Sequence, residues 1–218
     1  MTDLDLVYRT RFDEAERRAK MAVWREVVPS IARIVPLDGP VLDLACDRGY
    51  FIAHVAADER WACDVRDVAT DLPVGVRFVR ASGLALADAV PAAHFATVFT
   101  SNYLEHLASS DEVIEQMRVV ERLLRPGGRF VVLQPNIRLV GGAYWDFIDH
   151  HVALTERSLQ EAGALAGLET ERTVVRYLPF TTKGRLPSDP RLVRAYLRFR
   201  PAWRILGRQT LWVGRKPA

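Results

Sequence analysis

An α/β fold built on a parallel, doubly wound sheet is predicted by three observations. Short apolar runs of strand character alternate with stretches of helical periodicity from Pro40 onward. The runs are separated by segments long enough to cross over and return parallel, and each ends in small or polar residues. The 218 residues, 49% hydrophobic and 26% charged, suit one globular domain, taken here as 1–218.

The elements follow in order. An N-terminal helical segment covers 8–36: Phe12, Ala15, Ala19, Val23 and Val27 recur at helical spacing among charges, and the helix is expected to end near Pro29. Next come a strand at Pro40–Ala45, a helix at Gly49–Ala56, and strands at Arg60–Asp64, Val76–Val79 and Phe95–Ser101. A helix at Asp111–Leu124 stops at the turn Arg125-Pro126-Gly127-Gly128, and a strand at Arg129–Gln134 follows. Thr155–Ala166 reads as a helix with Thr155 as N-cap and Ser158 in its first turn. Two last strands, Glu169–Tyr177 and Gln209–Gly214, are separated by an insertion too long for a simple hairpin loop.

Net charge is +3, too mild for a nucleic-acid binder unless the basic residues are concentrated; they are, near the C-terminus. Cys46 and Cys63 make neither a disulfide framework nor a zinc spacing, so a reducing cytoplasm is expected. The N-terminus is acidic at its start without an apolar secretion core, and no run reaches membrane-span length, so a soluble or at most peripheral protein is expected.

In open α/β sheets ligands bind beyond the carboxyl ends of the strands. The residues there are Asp43-Leu44-Ala45-Cys46-Asp47-Arg48-Gly49, Cys63-Asp64, Ala81-Ser82-Gly83, and Ser101-Asn102-Tyr103-Leu104-Glu105-His106. Asp64 suits a ribose diol, because a carboxylate accepts two hydroxyl hydrogen bonds; the bland alternative is a solvated turn aspartate.

This order of pieces resembles the class I S-adenosylmethionine-dependent methyltransferases. VLDLACDRGYF sits where that family has D-x-G-x-G-x-G, Cys63-Asp64 at its ribose-binding acid, and FATVFTSNYLEHL looks like its fourth-strand segment. VERLLRPGGRFVVLQPN is similar to its helix, R-P-G-G turn and fifth strand. The resemblance implies a Rossmann-like, seven-stranded, mostly parallel sheet with the last strand antiparallel and helices on both faces. It also implies S-adenosylmethionine as cofactor, held by Asp43, Ala45, Cys46, Asp47, Gly49, Asp64, Ser82, Ser101 and Asn102. QPNIRLVGGAYWDFIDHH followed by LTERSL resembles a bacterial subgroup linked to glycan biosynthesis.

The chain departs from that pattern. Ala45 replaces a glycine that is often alanine. Asp47 replaces a glycine whose bare backbone approaches the methionine part of the cofactor. There it either adds bulk and negative charge or, tolerating left-handed angles, points to solvent or to the cofactor's ammonium. Ala81-Ser82 stands where many members hold the adenine amino group with Gly-Asp, so adenine recognition is weakened or rearranged.

Methyl transfer to a hydroxyl needs placement and a base. His150 and His151, beside Asp149, rank slightly above His106, although either group also reads as structural. Magnesium is not expected: where some hydroxyl-methylating relatives have E-x-x-E-H, Asn102 replaces the first carboxylate, and losing a hard anionic ligand weakens such a site. Tyr144, Trp145 and Phe147 line an acceptor pocket or stack on a sugar, unless they pack as a lid.

The insertion 181–208 carries eight basic residues against the single acid Asp189, with apolar residues interleaved. It suits a phosphate-bearing substrate or peripheral contact with an anionic membrane, or else packs its apolar side on the domain or on a second subunit, as in a homodimer. Nucleic acid is not expected. The leading expectation is methylation of a hydroxyl on a sugar or related small molecule. Its rival is the same fold with a diverged pocket, acting as a non-catalytic partner or in a non-methylating reaction. A nicotinamide-dependent dehydrogenase is disfavoured, because the loop lacks G-x-G-x-x-G.

Overall fold

The computed structural model describes residues 14–180 and 189–218. Residues 8–13 of the expected N-terminal helical segment and 181–188 of the basic insertion lie outside them. Seven strands form one sheet: β1 Val41–Leu44, β2 Arg60–Asp64, β3 Val76–Arg80, β4 Phe95–Ser101, β5 Leu124–Pro135, β6 Glu169–Leu178 and β7 Gln209–Arg215. Their order is β3-β2-β1-β4-β5-β7-β6, with β7 antiparallel to both neighbours and the remaining pairings parallel. The helices are α1 Glu14–Ala32, α2 Ser110–Leu123, α3 Glu156–Leu165, α4 Pro190–Arg198 and α5 Arg200–Leu206, besides a single turn at Ile137–Val140.

Period-2 alternation along the strands builds two apolar layers. Leu42, Leu44, Phe130, Val132 and Trp212 face Met117, Val120 and Leu123 of α2 and Leu159 of α3. Val41, Phe99, Val131 and Val213 face Val27, Val28 and Ile31 of α1, with Leu197 of α4 and Trp203 of α5. Helices therefore cover both faces. On the α1 side Phe51 stacks on Phe99 at 3.7 Å, and Trp24 meets both rings edge-on. Among the described residues no helix is long and apolar enough to cross a membrane.

Three local expectations change. α1 continues through Pro29 to Ala32 instead of ending there. A mid-helix proline costs about 3 kcal/mol, whereas the buried Val27, Val28 and Ile31 each contribute about 1.5–3 kcal/mol, so packing outweighs the missing hydrogen bond. Gly49–Ala56 is not an α-helix but turns followed by a 3₁₀ segment at Ile52–His54. Phe51, Ile52 and Val55 are all buried, and Val55 is already extended on the way to β2. β5 begins before the R-P-G-G turn: Leu124 pairs with Phe95 and Arg129 with Thr97, so residues 125–128 bulge out of the ladder. Gly128 is required there, because a Cβ would lie 2.8 Å from the Arg125 carbonyl oxygen.

Candidate active site

The carboxyl ends of β1, β2, β3 and β4 converge on one edge of the sheet, and the sequence-expected residues stand there. In the loop after β1, Ala45, Asp47 and Gly49 have φ of 56°, 53° and 72°. The backbone thus keeps a glycine-loop shape at two positions that carry side chains, at a cost of about 1 kcal/mol each. The loop is pinned by Cys46 N donating to the Cys63 carbonyl (2.9 Å) and Gly49 N to the Cys46 carbonyl (2.8 Å). Asp43 accepts from Ile52 N at 3.3 Å, and burial, aided by nearby Asp64 and Asp47, pushes its carboxyl well above the ordinary range. Both thiols are buried and burial raises them, Cys63 to about 12, as inert fillers rather than nucleophiles.

Asp64 is buried, and its carboxylate is fully used. Oδ1 accepts from Arg66 N (2.9 Å) and Nε (3.1 Å); Oδ2 accepts from Asp47 N (3.0 Å) and Arg66 Nη2 (3.2 Å). The same Nη2 donates to Asp47 Oδ1 at 2.9 Å, while Lys20 Nζ of α1 lies 3.2 Å from Asp47 Oδ2 and over the Tyr50 ring. Burial acts to raise the Asp47 carboxyl, but Lys20 and Arg66 outweigh it and hold it below the usual range. Asp47 therefore points neither to bulk solvent nor away from the loop. It sits between two cations.

Ser82 is exposed at the head of a 3₁₀ turn, Gly83–Asp88. Gly83 lies under a Tyr103–Gln116 hydrogen bond of 2.8 Å, where a Cβ would come within 2.3 Å of Gln116 Oε1. Ser101 ends β4 half-buried, and exposed Asn102 turns the chain with φ 50°.

Beyond β4, the loop 149–152 is strapped to the strand end: His151 N and Val152 N both donate to the Glu105 carbonyl. This brings His106, Asp149 and His150 together. His106 Nδ1 lies 2.8 Å from the Asp149 carbonyl oxygen and 3.5 Å from its carboxylate; the two imidazoles stand 4.9 Å apart. Phe147 stacks on His150, and Tyr144 meets it edge-on. Tyr144 is buried, its hydroxyl donating to the Val152 carbonyl at 2.6 Å, so it takes the packed position; Trp145 is exposed. His151 is exposed. Glu105 is wholly buried, neither oxygen has a hydrogen-bond partner among the described residues, and burial pushes its carboxyl up to about 6. Glu105, His106 and His150 bring one ligand atom each within 4.8 Å of one another, a group that could hold a metal ion.

The methyltransferase-domain family profile matches residues 14–173. The chain belongs to this family. The methyltransferase sheet also matches solved structures at identities that bear on fold alone. One is an S-adenosylmethionine-dependent methyltransferase from Mesorhizobium loti (TM-score 0.63, 18% identity, 86% of this chain and 96% of that one). Another is 1,6-didemethyltoxoflavin-N1-methyltransferase from Burkholderia thailandensis, solved with 1,6-didemethyltoxoflavin and S-adenosylhomocysteine (0.61, 17%, 98% and 87%). A third is the [4+2]-cyclase SpnF (0.59, 19%, 89% and 81%). No curated protein matches the chain by sequence.

The loop after β1 meets two residues that the sequence alone does not single out, Lys20 and Arg66. Lys20 lies on α1, and Arg66 two residues beyond the end of β2. The tertiary approach of α1 and the β2 loop brings both onto Asp47.

Proposed function

We propose that the chain transfers a methyl group from S-adenosylmethionine to a hydroxyl of a sugar or other hydroxylated small molecule, in the cytoplasm. The observation that carries this reading is the β1 loop, whose Ala45, Asp47 and Gly49 keep left-handed backbone beside the acid Asp64. Asp64 would hold the ribose, the 45–49 backbone the methionine side, and Ser82 the adenine edge. When bound, the cofactor supplies an electrophilic methyl on a sulfonium.

His106 takes the proton from the acceptor. Its Nδ1 faces a carbonyl oxygen, which only accepts, so Nδ1 carries the hydrogen and Nε2 presents the lone pair. The Asp149 carboxylate, 3.5 Å away, supports the imidazolium that forms. This geometry favours His106 over His150 and His151 as base. Exposed Trp145 offers a face to a sugar ring. A metal is not required in this scheme, because base and orienting group are both side chains; turnover unchanged by a chelator supports that, and turnover restored by added magnesium after chelation overturns it.

Titration calorimetry with S-adenosylmethionine and S-adenosylhomocysteine tests the reading. Micromolar binding of both is expected, and absence of binding to verified ligand-free protein refutes it. The second reading, a diverged pocket with a non-catalytic or non-methylating role, draws on the saturation of Asp64 by Arg66 and on the cyclase among the structural neighbours. Affinity appearing only in the Asp47→Gly/Ser82→Asp variant would favour it.

A further inference from the structure

A carboxylate offers about four lone-pair sites. At Asp64 all four are filled: by the Asp47 and Arg66 amides and by Arg66 Nε and Nη2. Asp64 cannot receive ribose hydroxyls until the Arg66 guanidinium leaves it. The same Nη2 also bridges to Asp47 Oδ1, so movement of this group releases both acids together. Asp47 is then left largely enclosed, its side chain 19% exposed, with Lys20 as its remaining ion-pair partner among the described residues. An enclosed carboxylate that loses a cation is strongly disfavoured unless another replaces it.

We propose that Asp47, Lys20 and Arg66 form an ion-exchange receptor for the amino-acid end of the cofactor. The α-ammonium replaces Arg66 on Asp47, the α-carboxylate pairs with Lys20, and Arg66 swings off Asp64 to admit the ribose. This rests on the β1 loop being a cofactor site. It explains why an aspartate is tolerated at a left-handed position next to the methionine side: the residue is a receptor for positive charge, held neutralised by the chain's own cations until the ligand arrives. Arg66 links the two subsites, so a ligand bearing both ribose and ammonium displaces it more readily than one bearing ribose alone.

The test compares S-adenosylhomocysteine with 5′-methylthioadenosine, which shares the nucleoside but lacks the amino-acid end, by calorimetry on the full chain. Asp47→Asn, nearly isosteric, and Lys20→Met are expected to weaken S-adenosylhomocysteine about tenfold or more, the loss of a charge-assisted contact, while methylthioadenosine affinity does not fall. Arg66→Ala is expected to strengthen methylthioadenosine severalfold by unlocking Asp64. Thermal melts of each variant separate these effects from unfolding. The proposal is overturned if Asp47→Asn or Lys20→Met weakens both ligands equally in a folded protein, or if Arg66→Ala leaves methylthioadenosine unimproved. Failure of the wild type and of Arg66→Ala to bind either ligand refutes the cofactor-site reading itself.

Discussion

A carboxyl with no exposed surface, as at Glu105, is better off protonated, and its value of about 6 against an ordinary 4.5 makes it a source of pH-dependent stability. The folded protein binds this proton more tightly than the unfolded chain does. Its stabilisation is therefore full below about 4.5 and is lost as pH rises through about 6, a difference of about 2 kcal/mol. Glu105→Gln should abolish this component and leave the protein about 2 kcal/mol more stable at pH 7, which denaturant titrations of both proteins between pH 4.5 and 7.5 will read. His106 is coupled to a different readout. His106→Ala should lower kcat about 10²-fold or more with cofactor affinity retained, whereas exposed His151→Ala should stay within about twofold; equal loss in both variants contradicts His106 as the base.

At the scale of elements, strands were the most legible part. Arg60–Asp64 and Phe95–Ser101 are read from sequence at the bounds they adopt, because short apolar runs between polar ends leave little freedom in where pairing starts. The capping box of α3, Thr155 with Ser158, is likewise local chemistry that a sequence displays. The short crossover 49–56 and the helix through Pro29 were not legible, since tertiary burial of Phe51, Ile52, Val27 and Ile31 decides them against local preference. The site divides the same way: Asp64 and Asp47 follow from position in the chain, while the contacts of Lys20 and Arg66 with Asp47 depend on how separate elements meet. Gly83 shows such a meeting, and Gly83→Ala should destabilise by about 1–3 kcal/mol in denaturant titration, as its Cβ would meet Gln116 and Tyr103. The α4–α5 element presents Phe199 and Ile205 to solvent, beside a cleft of about 510 Å³ lined by Arg172, Arg176, Arg200 and Arg204. If this face contacts an anionic membrane, the protein sediments with phosphatidylserine vesicles at low salt but not with phosphatidylcholine vesicles, and Arg200→Glu/Arg204→Glu abolishes this; equal sedimentation with both lipids would argue against a charge-based contact.

For the whole molecule, the β1 loop is where separate parts of the chain are tied by charge as well as by apolar packing. Asp47 joins the β1 loop to α1 through Lys20 and to the β2 loop through Arg66, whereas β6 joins the sheet through β7, on the far side of β5. A ligand that replaces these ion pairs must therefore act on α1 and the two loops first, and on the β6 edge only through global stability. At a hundredfold excess over Kd, S-adenosylhomocysteine should add about 2.7 kcal/mol, which for a chain of this length is a rise of roughly 5–10 °C in Tm. Under the same conditions, amides that exchange by local opening should slow in the 45–54 loop and in α1 around Lys20, with little change in the exposed first half of β6. Slowing confined to 45–54, with α1 unchanged, would mean that the N-terminal helix is a passive cover; slowing in both would make it a working wall of the site, since Lys20 reaches Asp47 from α1.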